Sequence, residues 1–345
     1  MCNIAGYVGT KSAAPILLEM MKKQEGFAGG YYSGLATLHN GKIYYAKLTG
    51  DVDRLTALTE AAKLPGTIGI IHSRSNGGGG DEWAHPFIGG RNGEARLAYV
   101  ANGSVGCFAD RKLSFNVISN ELLDEGYRLD SRIQIESDKY QSLRDGSKVH
   151  MSDVMAQLIA RNLEQGNSGA KAMESAFCTM PSEIVGLMLE PQAADHISYA
   201  RINMPMMVAH AEHGTYLAST VFAIPEDGGN AELLPANSFG QIGQGTVVSE
   251  PMKNPPATVA LMTPQVKSLA EERLAAALKD GPKTFSELGQ IAKACFGAGD
   301  CCETPPLVYR ILWEMKERLC FDLRRVEGAF AQLDAPKFYI SLKES

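Results

Sequence analysis

Met1-Cys2-Asn3-Ile4-Ala5-Gly6-Tyr7-Val8-Gly9 opens the chain as a short apolar strand with a cysteine at its head. The run carries no charge and stops at a Gly9-Thr10 turn, the pattern of a buried strand. Removal of Met1, which a small penultimate side chain permits, would leave Cys2 with a free α-amine beside its thiol. An α-amine titrates near ~8 and an ordinary thiol near ~8.5, so at neutral pH part of the amine is free to take the thiol proton. A terminal nucleophile served by its own amine is a recognised form of covalent catalysis. The same residue also fits as a small core side chain, and this stretch alone leaves both readings open.

Three further segments extend the pattern. Gly66-Thr67-Ile68-Gly69-Ile70-Ile71-His72-Ser73-Arg74 is an apolar strand that ends in polar chemistry. Leu97-Ala98-Tyr99-Val100-Ala101-Asn102-Gly103 is a second, closing on Asn-Gly. Residues 196–225 give two short strands around a His213-Gly214 turn, then a strand ending at Ala218-Ser219. With Glu82-Trp83-Ala84-His85-Pro86-Phe87 between them, these segments resemble, in order, the Met-Cys-Gly-Ile, His-Thr-Arg-Trp-Ala-Thr-His-Gly, Asn-Ala-His-Pro-His and His-Asn-Gly motifs of one family. That family is the class II glutamine amidotransferases, N-terminal-nucleophile enzymes that include glucosamine-6-phosphate synthase. The resemblance runs from residue 1 to roughly 250.

The resemblance implies a four-layer αββα sandwich, an α+β fold, and a set of roles. Cys2 would attack an amide carbonyl, form a thioester and release ammonia. Asn102 and Gly103 would hold the oxyanion through a side-chain amide and a backbone N–H, donors worth on the order of 3 kcal/mol each. Arg74 would grip the substrate α-carboxylate, since a planar guanidinium gives two charge-assisted bonds. The Gly29 carbonyl would receive the Cys2 amine, while Ser75, Asn76 and His85 complete the candidate substrate shell. The terminal amine takes the role of base, so His72 and His85 read as structural. Gly77–Gly80 falls in the family's closing loop, and four glycines are costly to hold fixed.

The chain departs from the family at Asn3, in the place of a glycine, and at Ala28, in the place of an arginine. The run after Arg74 is also altered, to Ser75-Asn76-Gly77-Gly78. Where the family has the aspartate that holds the glutamine α-ammonium stands Met151, with Asp145 or Asp153 as substitutes only after a register shift. A methionine cannot pair with an ammonium, so N-acetylation of the substrate is expected to cost little.

Beyond the motifs, Ala13–Gln24, Asp153–Glu164 (Ser152 as N-cap) and Ile184–Leu189 read as helix, helix and buried strand. Prolines cluster at 251, 255, 256 and 264, which places a linker at 251–263 between a 1–250 domain and a 264–345 unit. The latter reads as three helices (Gln265–Lys279, Phe285–Phe296 capped by Thr284, and one running from Pro305-Pro306 to about Arg318). Strands at Leu319–Val326, Ala329–Leu333 and Phe338–Leu342 complete a winged-helix-like unit. It holds 12 Lys/Arg and 12 Asp/Glu, a balance that argues against a DNA-reading face. Dimerisation or partner docking is the expectation, hence a homo-oligomer formed through this unit.

A net charge of -6 argues against a general nucleic-acid or membrane-surface binder. No apolar run has membrane-span length and no secretory signal opens the chain, so a cytoplasmic location is the default. Seven irregularly spaced cysteines suit reduced thiols. Cys295, Cys301 and Cys302 lack a paired metal knuckle, and no phosphate-cradling glycine motif follows a strand. No metal or cofactor is expected. The leading function is a stand-alone glutamine-hydrolysing enzyme that passes ammonia to a separate acceptor protein. A non-catalytic amide-binding adaptor and an N-terminal-cysteine acyl amide hydrolase are the alternatives.

Overall fold

The structure is a computed structural model that describes residues 2–103, 105–108, 115–136, 140, 142–297, 299, 301–328 and 333–343. In chain order the first elements are β1 (Asn3–Gly9), α1 (Ala13–Gln24), β2 (Tyr32–His39), β3 (Lys42–Thr49), α2 (Val52–Leu58) and β4 (Ile68–Arg74). There follow β5 (Phe87–Gly89), β6 (Leu97–Gly103), α3 (Phe115–Asp124), α4 (Met151–Glu164), α5 (Gly169–Thr179), β7 (Glu183–Leu189) and β8 (His196–Arg201). Next come β9 (Met207–Ala211), β10 (Gly214–Ala218), β11 (Glu232–Leu233), β12 (Ser238–Gly243) and β13 (Thr246–Pro251). The chain closes with α6 (Pro264–Lys279), β14 (Lys283–Thr284), α7 (Phe285–Lys293), α8 (Thr304–Met315), β15 (Leu319–Glu327) and β16 (Asp334–Leu342).

Two antiparallel sheets, in the orders β11-β9-β10-β1-β4-β2-β3 and β13-β12-β8-β7-β6-β5, lie face to face. Strand alternation assigns the layers. Ile4 and Val8 of β1 and Ile68 and Ile70 of β4 enter the core shared with Val100, Leu187 and Ile197 of the second sheet. Ala5, Tyr7 and Ile71 point the other way, into a core with Leu17, Met20 and Met21 of α1. On the far side α4 and α5 cover the second sheet. Close approach of the sheets needs Gly6: a Cβ there would meet Leu217, Ile197 and Leu187 side chains at 2.9–3.3 Å. The result is mixed α and β, layered helix, sheet, sheet, helix.

The N-terminus of α4 differs from the sequence reading. It starts at Met151, and the His150 ring, not Ser152, accepts the capping bond from the Ser152 N–H. Ser152 is instead turned to Glu183.

In the C-terminal unit, α6, α7, α8 and a three-stranded sheet of order β14-β16-β15 surround one apolar core. Thr284 and Glu287 form a reciprocal capping box on α7, which ends at Lys293, short of the expected Phe296. Pro305 and Pro306 sit in the first turn of α8, where a missing N–H costs nothing. Residues 329–332, expected as strand, lie outside the described residues.

This unit is bound closely to the first. Phe27, just beyond α1, packs edge-on against Phe285, Tyr309 and Phe321. The fully buried Arg201 guanidinium meets Glu303 at 2.7 Å, and Arg325 meets Asp51 at 2.5 Å. Asn3 has its own part: its amide donates to the Gln24 and Ala28 carbonyls, and its oxygen faces the buried Tyr309 hydroxyl at 3.4 Å. The side chain that replaces a glycine therefore ties β1 to α8. Among the described residues no helix is long and apolar enough to cross a membrane.

Candidate active site

Strand register gathers the polar strand ends. Cys2 precedes β1 on the inward parity of Ile4, and Ile4 lies opposite His72 on β4. His72 and Arg74 share the inward parity of Ile68 and Ile70, and Asn102 that of Val100. Four polar side chains thus meet at one end of the sandwich, where the apolar run of each strand stops.

Cys2 receives the Ser75 backbone N–H at 3.4 Å, and its sulfur lies 3.6 Å from the Ser75 hydroxyl. Asn102 Nδ2 donates to the Cys2 carbonyl at 3.0 Å. An amide nitrogen has two protons, so the second remains for an oxyanion. Burial pushes the Cys2 thiol up, but the adjacent His72 imidazole, the positive charge of the chain's terminal amino group and the Ser75 N–H together outweigh it and bring the thiol down to about 6. Neither ring nitrogen of His72 makes a hydrogen bond of normal geometry, so its influence comes from its closeness to the sulfur rather than from a formed bond. His72 itself lies against His85, with ring centroids 3.9 Å apart and the planes tilted by 33°. Burial, with the neighbouring His72, His150, Arg74 and Lys47, holds His85 well below the ordinary histidine range.

Cys2, Ser75, Asn102 and Gly103 line a single cavity of about 380 Å³. Arg74, Gly29, Asn76 and His85 do not line it. Arg74 is buried, lies over the Tyr32 ring at 4.6 Å and donates to the Gly78 carbonyl at 3.0 Å. The glycine run folds over it: Tyr32 donates to the Gly79 carbonyl and Tyr140 to that of Gly77. The expected loop is therefore bonded down on the very guanidinium expected to hold a carboxylate. Gly29 has φ +79°, and a Cβ there would stand 2.4 Å from Ser73 Oγ. Asn76 Nδ2 lies 2.7 Å from the place of a Cβ on Gly328, so it faces the end of β15.

Neither acid considered for the ammonium role is available. Asp153 is buried, with Ser131 N–H and hydroxyl on one oxygen at 2.8 Å each and Gln157 on the other at 3.2 Å. Asp145 is engaged by Arg132 and Ser147, which hold its carboxyl well below the usual range.

Two buried acids had no motif to announce them. Glu25 accepts bonds from Ser73, Ser33 and the Val52 N–H. Glu183, at the head of β7, accepts from Ser152 at 2.6 Å. Burial pushes each up to about 7. The one sequence signal was a glutamate at the entrance to an otherwise apolar strand.

The opposite wall of the cavity comes from the C-terminal unit: Phe285, Gln290 and Lys293 of α7 with Cys302, Thr304 and Pro305 at the start of α8. Asn203 joins the two sides, donating to Cys107 Sγ at 3.5 Å and to the Cys302 carbonyl at 2.9 Å. Among the described residues no group of His, Cys, Asp and Glu has the arrangement of a metal site.

No protein-family model matches the chain. Glutamine–fructose-6-phosphate aminotransferase (isomerizing) of Bartonella quintana is 26% identical over 226 residues, 65% of this chain and 32% of that protein. The Helicobacter pylori enzyme of the same name is 27% identical over 245 residues, 70% and 36% respectively. The chain spans about a third of the length of these curated relatives. Among solved structures, the allosteric regulatory enzyme of purine biosynthesis superposes with a TM-score of 0.56 at 18% identity, covering 74% of this chain and 50% of that one. Glutamine phosphoribosylpyrophosphate amidotransferase from B. subtilis gives 0.57 at 15% identity, covering 86% and 65%. At such identities the structural likeness speaks for the fold.

Proposed function

Starting from a chain that resembles the class II glutamine amidotransferases in sequence and fold, we propose that it is a glutamine-hydrolysing enzyme with Cys2 as nucleophile. The observation that carries this reading is the cavity in which a thiol depressed to about 6 faces Asn102 and Gly103. With Met1 removed, the Cys2 thiolate, its proton held by the neighbouring Cys2 amine, adds to the γ-carbonyl carbon. The oxyanion then forms against the spare Asn102 N–H and the Gly103 backbone N–H. Collapse expels ammonia, which carries off the proton held by the amine, and leaves a γ-thioester. Water, deprotonated by the same amine, releases glutamate. The Arg74 guanidinium would hold the α-carboxylate after the Gly78 carbonyl gives way.

Domain limits at 250 and 264 belong to the same proposal, as does a winged-helix-like reading of the C-terminal unit. That unit completes the cavity, and a separate protein would accept the ammonia. An acyl amide hydrolase is the second reading, favoured by the apolar side chains Ile184, Met204 and Phe285 in the cavity wall.

Ammonia release from glutamine tests the proposal. Cys2→Ala should abolish it with an unchanged thermal melt, and Asn102→Ala should lower kcat by roughly a hundredfold, as for one oxyanion donor. Undiminished hydrolysis in Cys2→Ala would refute the assignment.

A further inference from the structure

Met151 leaves the substrate α-ammonium without the acid that the resemblance implies, and Asp145 and Asp153 are both committed elsewhere. We propose that Glu183 fills this role as a substrate-positioning residue, pairing with the α-ammonium of an amino-acid amide held at Cys2. The assignment rests on the glutaminase reading and names its missing specificity determinant.

Glu183 is only 1% exposed. Its Oε1 is fixed by the Ser152 hydroxyl at 2.6 Å, in the residue directly after Met151. Its Oε2 is buried and has no hydrogen-bond partner among the described residues. A buried carboxylate with an empty oxygen is costly unless a cation or donor arrives. Gly103 shows from which side one can arrive. A Cβ on that residue would stand 2.9 Å from Glu183 Oε2, and Gly103 also lines the cavity with Cys2. Glu183 does not itself line the cavity but stands behind Gly103, where the lack of a side chain leaves room for the carboxyl.

The register of the sheet supports the same placement. Gly103 pairs with Glu183 after an irregularity that follows Asn102 opposite Val185. That shift brings the head of β7 beside the oxyanion donors. The charge of Cys2 acts on the Glu183 carboxyl, and Glu183 in turn acts on the buried Tyr99 hydroxyl of β6. An incoming ammonium would give the carboxylate its partner in a charge-assisted bond. It would also fix the distance from the α-carbon to the nucleophile. The acid has thus moved from the start of α4 to the start of the adjacent strand, with Ser152 linking the two.

Steady-state hydrolysis of glutamine and N-acetylglutamine by the full chain and by Glu183→Gln decides the matter. The variant keeps the side-chain shape and an acceptor for Ser152. In place of the small cost of N-acetylation expected from Met151 alone, wild-type protein should prefer free glutamine by roughly tenfold to a hundredfold in kcat/KM, the worth of one charge-assisted bond. Glu183→Gln should raise the glutamine KM by a similar factor with kcat within about threefold, leave N-acetylglutamine unchanged, and so erase the preference. Glu183→Asp should restore part of it.

Indifference of the wild-type protein to N-acetylation would overturn the assignment. So would equal losses on both substrates in Glu183→Gln, which would mark a structural role. If hydrolysis is abolished by Cys2→Ala yet shows either result, this inference fails alone. If the wild-type protein hydrolyses neither amide, the parent reading fails with it.

Discussion

Cys2 and His72 set the chemistry at the scale of single residues. An ordinary thiol near ~8.5 is mostly protonated at neutral pH, whereas Cys2 is brought to about 6 against the opposing effect of burial. A lowered thiol pKa means that the thiolate is present above about 6 and lost as pH falls through that value. Alkylation of Cys2 by iodoacetamide, followed by peptide mapping, should therefore titrate with a midpoint near 6, with the exposed Cys320 as internal comparison. In His72→Ala the midpoint should move upward, because the imidazole that lowers the thiol is gone. An unmoved midpoint would show that His72 does no more than lie against His85. Cys2, Asn102 and Gly103 were legible in the sequence because each stands where an apolar strand stops, and register then places strand ends together. Glu183 was not. A glutamate at the entrance to an apolar strand is its one local signal, and that does not reveal a partner serine on a helix 31 residues away.

At the scale of elements, the strand pattern was readable in the same way. Alternation in β1, β4 and β6 separates the residues of the sandwich interior from those under α1, α4 and α5. Prolines and capping residues marked α6, α7 and α8 to within a few positions. What could not be read was how these helices dock, since docking depends on pairs such as Asn3 with Tyr309 or Arg201 with Glu303 that meet only in the fold. Arg201 spends its guanidinium on the Met204 and Leu234 carbonyls as well as on Glu303, all in the interior. Glu303→Ala would leave that charge buried without its counter-ion. A loss of about 3 kcal/mol in urea-unfolding stability is expected, the low end for breaking a buried pair because the carbonyls remain. A loss below about 1 kcal/mol would place the pair among weak surface bridges.

The whole molecule makes its cavity from two sources, strand ends of the sandwich on one side and α7 with the start of α8 on the other. A glycine-rich run sits on Arg74, a C-terminal unit is pinned by Arg201, Asn3 and Asp51, and Cys2 lines the shared space. The account predicts that a single nucleophile of this chain, with its own amine free, reacts with a glutamine-like electrophile. The most direct measurement is intact mass and peptide mapping after incubation with a diazo ketone analogue of glutamine. The expected result is a protein lacking Met1 that gains one adduct, on Cys2. A chain that retains Met1, or an adduct on any other residue, would contradict it.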